Sequence, residues 1–323
     1  MSRIRIGIVG YGNIGKGAER AVLAAPDMEL RAIFTRRDPV SVNTVSSAPI
    51  LAIDAAEGMK GEIDVMLLCG GSAKDLPEQG PRFAAMFNIV DSFDTHAKIP
   101  EYLAVVDAAA INTTAIISSG WDPGLFSLLR LVYSSILPDG ESYTFWGPGV
   151  SQGHSNAILR IEGVRNAIQY TIPRDTAIAA ARSGARPKLE TRDKHVRECF
   201  VVTHPGADRA QIEQKIKGMP NYFKDYDTVV NFIGHDEFIE NHSAMPHGGF
   251  VIHSGRTGEN GHVAELSLKL DSNPEFTGSI MTAYARAAFR MSGDGLYGAK
   301  TVFDVPPIYL SPDDRLTLIK ELL

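Results

Sequence analysis

Gly10, Gly12 and Gly15 stand in "GYGNIGKGAER" with the spacing GxGxxG, directly after the apolar run "IRIGIVG" (4–10). Between a strand and a helix this spacing has a physical meaning. Gly10 permits the tight turn, Gly12 lets the backbone approach a pyrophosphate, Gly15 lets helix and strand pack closely, and the helix N-terminus faces the negative charge. Tyr11, Asn13 and Ile14 complete the same loop. An ordinary glycine-containing βα turn is the plain alternative, against which the strand-then-helix context weighs.

Roughly 20 residues past the glycines, NAD-binding chains place an acidic residue for the ribose 2′-hydroxyl. Here the sequence is "FTRRDP". Thr35, Arg36 and Arg37 offer a hydroxyl and two guanidiniums, the donors that a 2′-phosphate requires, so the expected cofactor is NADP. Asp38 keeps the NAD alternative open, and a solvated arginine pair is the bland one. "LLCGGSA" brings Cys69, Gly70, Gly71 and Ser72 to the end of another strand, where they are expected to border the nicotinamide half; Ser72 as a helix cap is the competing role.

Elements that position these residues follow from the apolar patterning. Runs at 4–10, 29–35, 63–70, 88–92 and 114–120 read as strands, and stretches at 13–25 and 99–111 as helices, the alternation of a doubly wound parallel sheet. The expected fold class is α/β: a Rossmann-like sheet over 1–121, then a second, α+β substrate and dimerisation domain over 122–299, with 300–323 packing back on the first. Within the second, "SYTFWGPGVSQGHS" reads as a pocket-lining loop, and 123–137 and 277–291 as helices. The 323 residues carry a formal net charge of −6, which disfavours a general nucleic-acid or membrane-surface partner and favours a small molecule. Without an apolar leader, a span of about 18 apolar residues or a disulfide framework, the expectation is a cytoplasmic protein with reduced Cys69 and Cys199. His235, His242, His247, His253 and His262 have irregular spacing that matches no metal motif, and no metal is expected.

More specific are "DSFDTHAKIP", "SSGWDPG", "TFWGPGVSQGHS", "QYTIP", "HVRECFVV", "MPHGGFV" and "LKLDSNPEFT". Together they resemble the meso-diaminopimelate dehydrogenase family over nearly the whole chain. The resemblance implies an NADP-dependent, homodimeric enzyme of lysine and cell-wall precursor biosynthesis. The implied reaction is reversible oxidative deamination at the D-centre of meso-2,6-diaminopimelate, giving L-2-amino-6-oxopimelate, ammonium and NADPH; the keto product can cyclise to tetrahydrodipicolinate. By motif, it implies that Asp94 and Asp122 hold the reacting amine, that Thr171, Arg197 and His247 grip the distal carboxylate with Asn273 nearby, and that Trp146, Gln152 and Gly153 line the substrate cavity.

The residue types suit a doubly zwitterionic ligand, because anionic and cationic groups buried on binding both need partners. Taken singly they have plainer uses: Asp122 as an N-cap before Pro123, Asp94 and Asn273 as turn residues, Arg197 on a solvated face, Trp146 in the core. Two rivals share the first half: a reductase of a related intermediate that releases no ammonia, and an NADP-sensing regulator that turns nothing over.

Overall fold

The run "IRIGIV" is apolar on both faces, as a central parallel strand must be. In the computed structural model, which describes residues 3–323, it forms β1 (Ile4–Val9). Around it lie β2 (Met28–Thr35), β3 (Ile50–Ala52), β4 (Val65–Leu68), β5 (Asn88–Asp91), β6 (Thr114–Ile116) and the strand Gly298–Lys300. The seven-stranded sheet runs Gly298–Lys300, β6, β5, β4, β1, β2, β3, with every pairing parallel. This is the Rossmann strand order, and its switch point lies between β1 and β4.

Period-two alternation divides the strand side chains between two cores. Ile6, Ile8 and Leu67 enter one face with Ala18, Met281 and Tyr284, while Val9, Met66 and Leu68 enter the other with Phe83 and Tyr102. Each fully buried side chain of this size contributes about 1.5–3 kcal/mol. Since all strands are parallel, the residues after β1, β2, β4, β5 and β6 emerge along one carboxyl edge. Short strands at 50–52 and 298–300, which the apolar pattern does not signal, extend the sheet.

The chain divides into two compact units, one running up to Leu128 and joined by Pro274–Leu323, the other Leu129–Asn273. The second unit thus ends earlier than the expected 299, and the long helix Asn273–Gly293 belongs almost entirely to the first. Small residues explain this. Where it crosses the helix Asn13–Ala24, a Cβ at Gly17 would meet Glu275 Cα at 2.7 Å, and a Cβ at Gly278 would run into the Ala18 amide. Arg286 then fixes it with two 2.6 Å hydrogen bonds to Asp27.

Within the second unit are β7 (Gly140–Trp146), β8 (Gly149–Val150), β9 (Val164–Pro173), β10 (His195–Thr203), β11 (Asp227–Phe232), β12 (His247–Thr257) and β13 (Asn260–Leu270). They form two sheets, β11-β10-β9-β8 and β13-β12-β7, antiparallel except for β10 with β11. "SYTFWGPGVSQGHS" is therefore not a loop: Tyr143 and Phe145 alternate inward as a strand does, and Gln152–Ile158 is a helix. Among the described residues, no helix is long and apolar enough to cross a membrane.

Candidate active site

At the switch point of the first unit, Gly10 takes φ +90°, and a Cβ there would press on the Cys69 backbone at 3.3 Å. A Cβ on Gly15 would run into the Gly10 carbonyl, so the turn closes only with glycine at both positions. Gly12 is different: nothing lies within 4 Å of its would-be Cβ, and it is the N-cap of a helix with no acidic residue in its first turn. That leaves a smooth, electropositive approach.

A cavity of about 370 Å³ opens here, lined by Gly10, Tyr11, Gly12, Thr35, Arg36, Arg37, Cys69, Gly70 and Gly71 together with Asp75 and Gln79. Asn13, Ile14 and Gly15 open the helix that follows and are not among the lining residues. Arg37 is anchored, its Nη2 donating to the Tyr11 carbonyl at 2.5 Å and its amide to the buried Thr35 hydroxyl at 3.1 Å. Arg36 extends to Asp75 at 2.8 Å. Asp38 caps its own turn by accepting from the Val40 amide at 3.1 Å, and it does not line the cavity. Gln79 Oε1, buried at the cavity wall, has no hydrogen-bond partner. Glycines, two guanidiniums, a hydroxyl and an unsatisfied amide oxygen fit a phosphorylated dinucleotide. Asp75 and Gln79 were not foreseen in the sequence; the only signal was the helix-opening "DLPEQ". Burial pushes the Cys69 thiol up to about 12, so it is a neutral wall residue.

Ser72, Asp94 and Asp122 emerge on neighbouring strand ends. The Asp94 amide donates to Ser72 Oγ at 3.0 Å, and the Asp94 carboxylate is exposed. Asp122 is half-buried and begins a cis peptide to Pro123. The following helix starts at Leu125, so Gly124, rather than Asp122, stands directly before it.

In the second unit Arg197 on β10 is opposite Thr171 on β9. It is 5% exposed, not on a solvated face. One Nη donates to the Thr171 hydroxyl, the guanidinium lies over the Tyr226 ring at 3.9 Å, and Nε has no partner. No carboxylate pairs with it among the described residues. Burial pulls its pKa down, yet a guanidinium stays protonated. His154, His195 and His247 are all held below the ordinary histidine range, first by burial and then by the charge of Arg197. Neutral imidazoles thus lie near a buried cation that no carboxylate among the described residues pairs with.

The other predicted positions fall into contacts within this unit. Gly149 pairs with Thr171, and a Cβ on it would meet His247 at 2.5 Å, which places His247 beside the Thr171–Arg197 pair. The Trp146 amide donates to His195 Nε2 at 2.8 Å, and the two rings stack. Gln152 donates to Met245 Sδ at 2.8 Å, while the Asn273 amide donates to the Met245 carbonyl at 3.2 Å. Gly153 is exposed with open space around it. His195 and Tyr226 were missed: a lone histidine and tyrosine carry no motif. Other histidines serve structure, His253 between Ser142 and Leu137, and His242 against Tyr170.

Strand order, glycine turn and a cavity lined by two arginines are those of a Rossmann-type dinucleotide-binding protein, here with a second unit that holds a buried arginine. Residues 120–272 match the family model "Diaminopimelic acid dehydrogenase C-terminal domain". The chain belongs to the meso-diaminopimelate D-dehydrogenase family. It is 61% identical to the meso-diaminopimelate D-dehydrogenase of Ureibacillus thermosphaericus, covering 100% of both chains. It is similar to a solved mutant meso-diaminopimelate dehydrogenase of Clostridium tetani E88 with DAP (TM-score 0.94, 52% identity, 99% and 100% of the two chains). An engineered D-amino acid dehydrogenase bound to NADP+ is also similar (TM-score 0.89, 42% identity, 100% of both).

Proposed function

We propose that this chain catalyses the NADP-dependent, reversible oxidative deamination of meso-2,6-diaminopimelate at its D-centre: hydride passes to NADP, and water hydrolyses the resulting imine to release L-2-amino-6-oxopimelate and ammonium. The observation that carries the substrate assignment is Arg197, a buried guanidinium whose Nε has no partner and which no carboxylate meets among the described residues. An unpaired buried charge costs several kcal/mol, so the site is built for an anion supplied by a ligand. The Thr171 hydroxyl already accepts from Arg197, which leaves its own proton for a carboxylate oxygen. His247 completes this group.

The first unit supplies the opposite charge. Asp94 and Asp122 hold the ammonium at the D-centre and take the proton that the amine sheds as its C–H bond breaks. Tyr11, Gly12 and the helix start at Asn13 and Ile14 hold the pyrophosphate, Thr35, Arg36 and Arg37 the 2′-phosphate, and Cys69 to Ser72 border the nicotinamide. NADP bound there supplies the hydride acceptor. Trp146, Gln152, Gly153 and Asn273 shape the cavity around the rest of the substrate. Orientation against the dinucleotide and charge pairing suffice, without a covalent nucleophile.

The reading extends to a cytoplasmic homodimer of lysine and cell-wall precursor metabolism, formed through the second unit, where Leu131, Val132 and Ile136 are exposed. Ammonium measured against NADPH formed from the meso isomer tests the reaction class. One ammonium per NADPH is expected; NADP binding without ammonium release would return the assignment to a reductase or a sensor.

A further inference from the structure

Asp91 ends β5 and is wholly buried. Its carboxylate is compensated by neutral donors alone. Oδ1 accepts from the amide of Phe93 at 3.0 Å and from that of Ser118 at 2.9 Å, while Oδ2 accepts from the Tyr102 hydroxyl at 2.7 Å. Its backbone carbonyl accepts from the Ser119 amide at 2.9 Å and the Ser119 hydroxyl at 2.8 Å. Phe93 directly precedes Asp94. Ser118 and Ser119 open the segment that leads to Asp122. One carboxylate oxygen therefore joins the two segments that carry both candidate amine-binding carboxylates.

The surroundings show how closely this junction is held. Ser118 has φ 55°, a conformation that a non-glycine residue keeps only when its neighbours fix it, and the hydrogen bond to Asp91 takes up its amide. Tyr102 stacks on Phe93 with ring centroids 4.2 Å apart. Gly80, in the helix Leu76–Ala84, makes room for the phenol: a Cβ there would run into the Tyr102 hydroxyl. Burial pushes the Asp91 carboxyl up to about 6, while the hydrogen bonds from Ser118, Phe93 and Tyr102 pull the other way and favour its charged form.

We propose that Asp91, backed by Tyr102, is a positioning residue of the reaction, a buried clamp that sets the Asp94 and Asp122 segments relative to each other. The inference rests on the amine-binding roles of Asp94 and Asp122 given above. Misplacing a reacting group by about 1 Å costs on the order of 100-fold in rate. Asp91→Ala should therefore lower kcat about 100-fold while NADPH affinity, followed by fluorescence titration, changes less than about threefold. Asp91→Asn, whose amide oxygen can accept from the same two N–H groups, should recover at least about tenfold of that loss. Tyr102→Phe leaves the carboxylate in place and should cost about three- to tenfold in kcat at unchanged NADPH affinity, so it decides the matter if Asp91→Ala does not fold.

An Asp91→Ala enzyme with kcat within about threefold of the parent overturns the clamp, as does a loss that Asp91→Asn fails to recover, or an unaltered kcat in Tyr102→Phe. Asp94→Asn and Asp122→Asn, measured alongside, separate the two claims. If both retain full kcat, the amine-binding reading and the clamp fall together; if both lose it while Asp91→Ala does not, the clamp alone is wrong.

Discussion

Arg197 and Thr171 face each other across the β9–β10 ladder, and the arginine donates to the threonine hydroxyl while meeting no carboxylate among the described residues. Replacing it separates binding from stability. Arg197→Met should raise the diaminopimelate KM by about 100-fold or more, as expected for the loss of a charge-assisted contact, with the NADP KM within about twofold. The same change removes an uncompensated buried charge and should raise Tm. Equal effects on both ligands, measured by steady-state kinetics, would contradict this division.

Arg36 lines the cavity beside the glycine turn from the end of β2, whereas Asp38 is spent on capping its own turn. Arg36→Ala should therefore reduce the preference for NADP over NAD by about tenfold or more, leaving the diaminopimelate KM little changed. An unchanged ratio of kcat/KM for the two dinucleotides would count against a 2′-phosphate role.

Gly12 and Gly15 should fail differently. Gly12→Ala adds a methyl into open space, so the protein should keep its Tm but bind NADPH at least about tenfold more weakly. Gly15→Ala forces the turn apart against the Gly10 carbonyl and should lose about 1–3 kcal/mol of stability as well. Thermal melts with fluorescence titrations distinguish them; identical behaviour would show that the loop tolerates both.

His195 is buried, accepts from the Trp146 amide, and has its pKa pushed down to about 3. Its folded pKa lies below the unfolded value near 6.5, so the unfolded chain binds the extra proton, and this contribution to stability is lost as pH falls from about 6.5 towards 3. Between pH 6.5 and 4.5 that amounts to roughly 2–3 kcal/mol. Asp91, with its carboxyl raised to about 6, gives the opposite slope over about pH 4 to 6, so wild type should be compared with His195→Gln, which keeps an acceptor but does not titrate. Denaturant titrations should find the wild type losing more stability than the variant over this window; parallel losses would mean that His195 is not held neutral.

The first half of the fold is the more legible in the sequence because a parallel βα unit encodes its glycine turn and the adjoining cavity locally. The strand, the three glycines and the following helix are contiguous, and "FTRRDP" ends the next strand. The apolar pattern gives a helix at 277–291 but not its packing partner, the distant helix Asn13–Ala24, because the small residues that let them cross, Gly17 and Gly278, signal nothing alone. "SYTFWGPGVSQGHS" reads as a loop because its glycines and polar residues mask the two-residue alternation of Tyr143 and Phe145. The charge environment of Arg197 is assembled from strands and histidines far apart in the chain, so residue types suggest a ligand, and only the fold shows that no carboxylate among the described residues meets the guanidinium.

The most direct measurement is the initial rate of NADPH formation with the meso, L,L and D,D isomers of diaminopimelate at equal concentration. Rapid turnover of the meso isomer, with little or none from L,L, is the predicted result, since the reacting amine is the D-centre and the distal carboxylate belongs to the L-centre. Comparable rates with the L,L isomer, or none with any isomer in a protein that binds NADPH, would contradict the account.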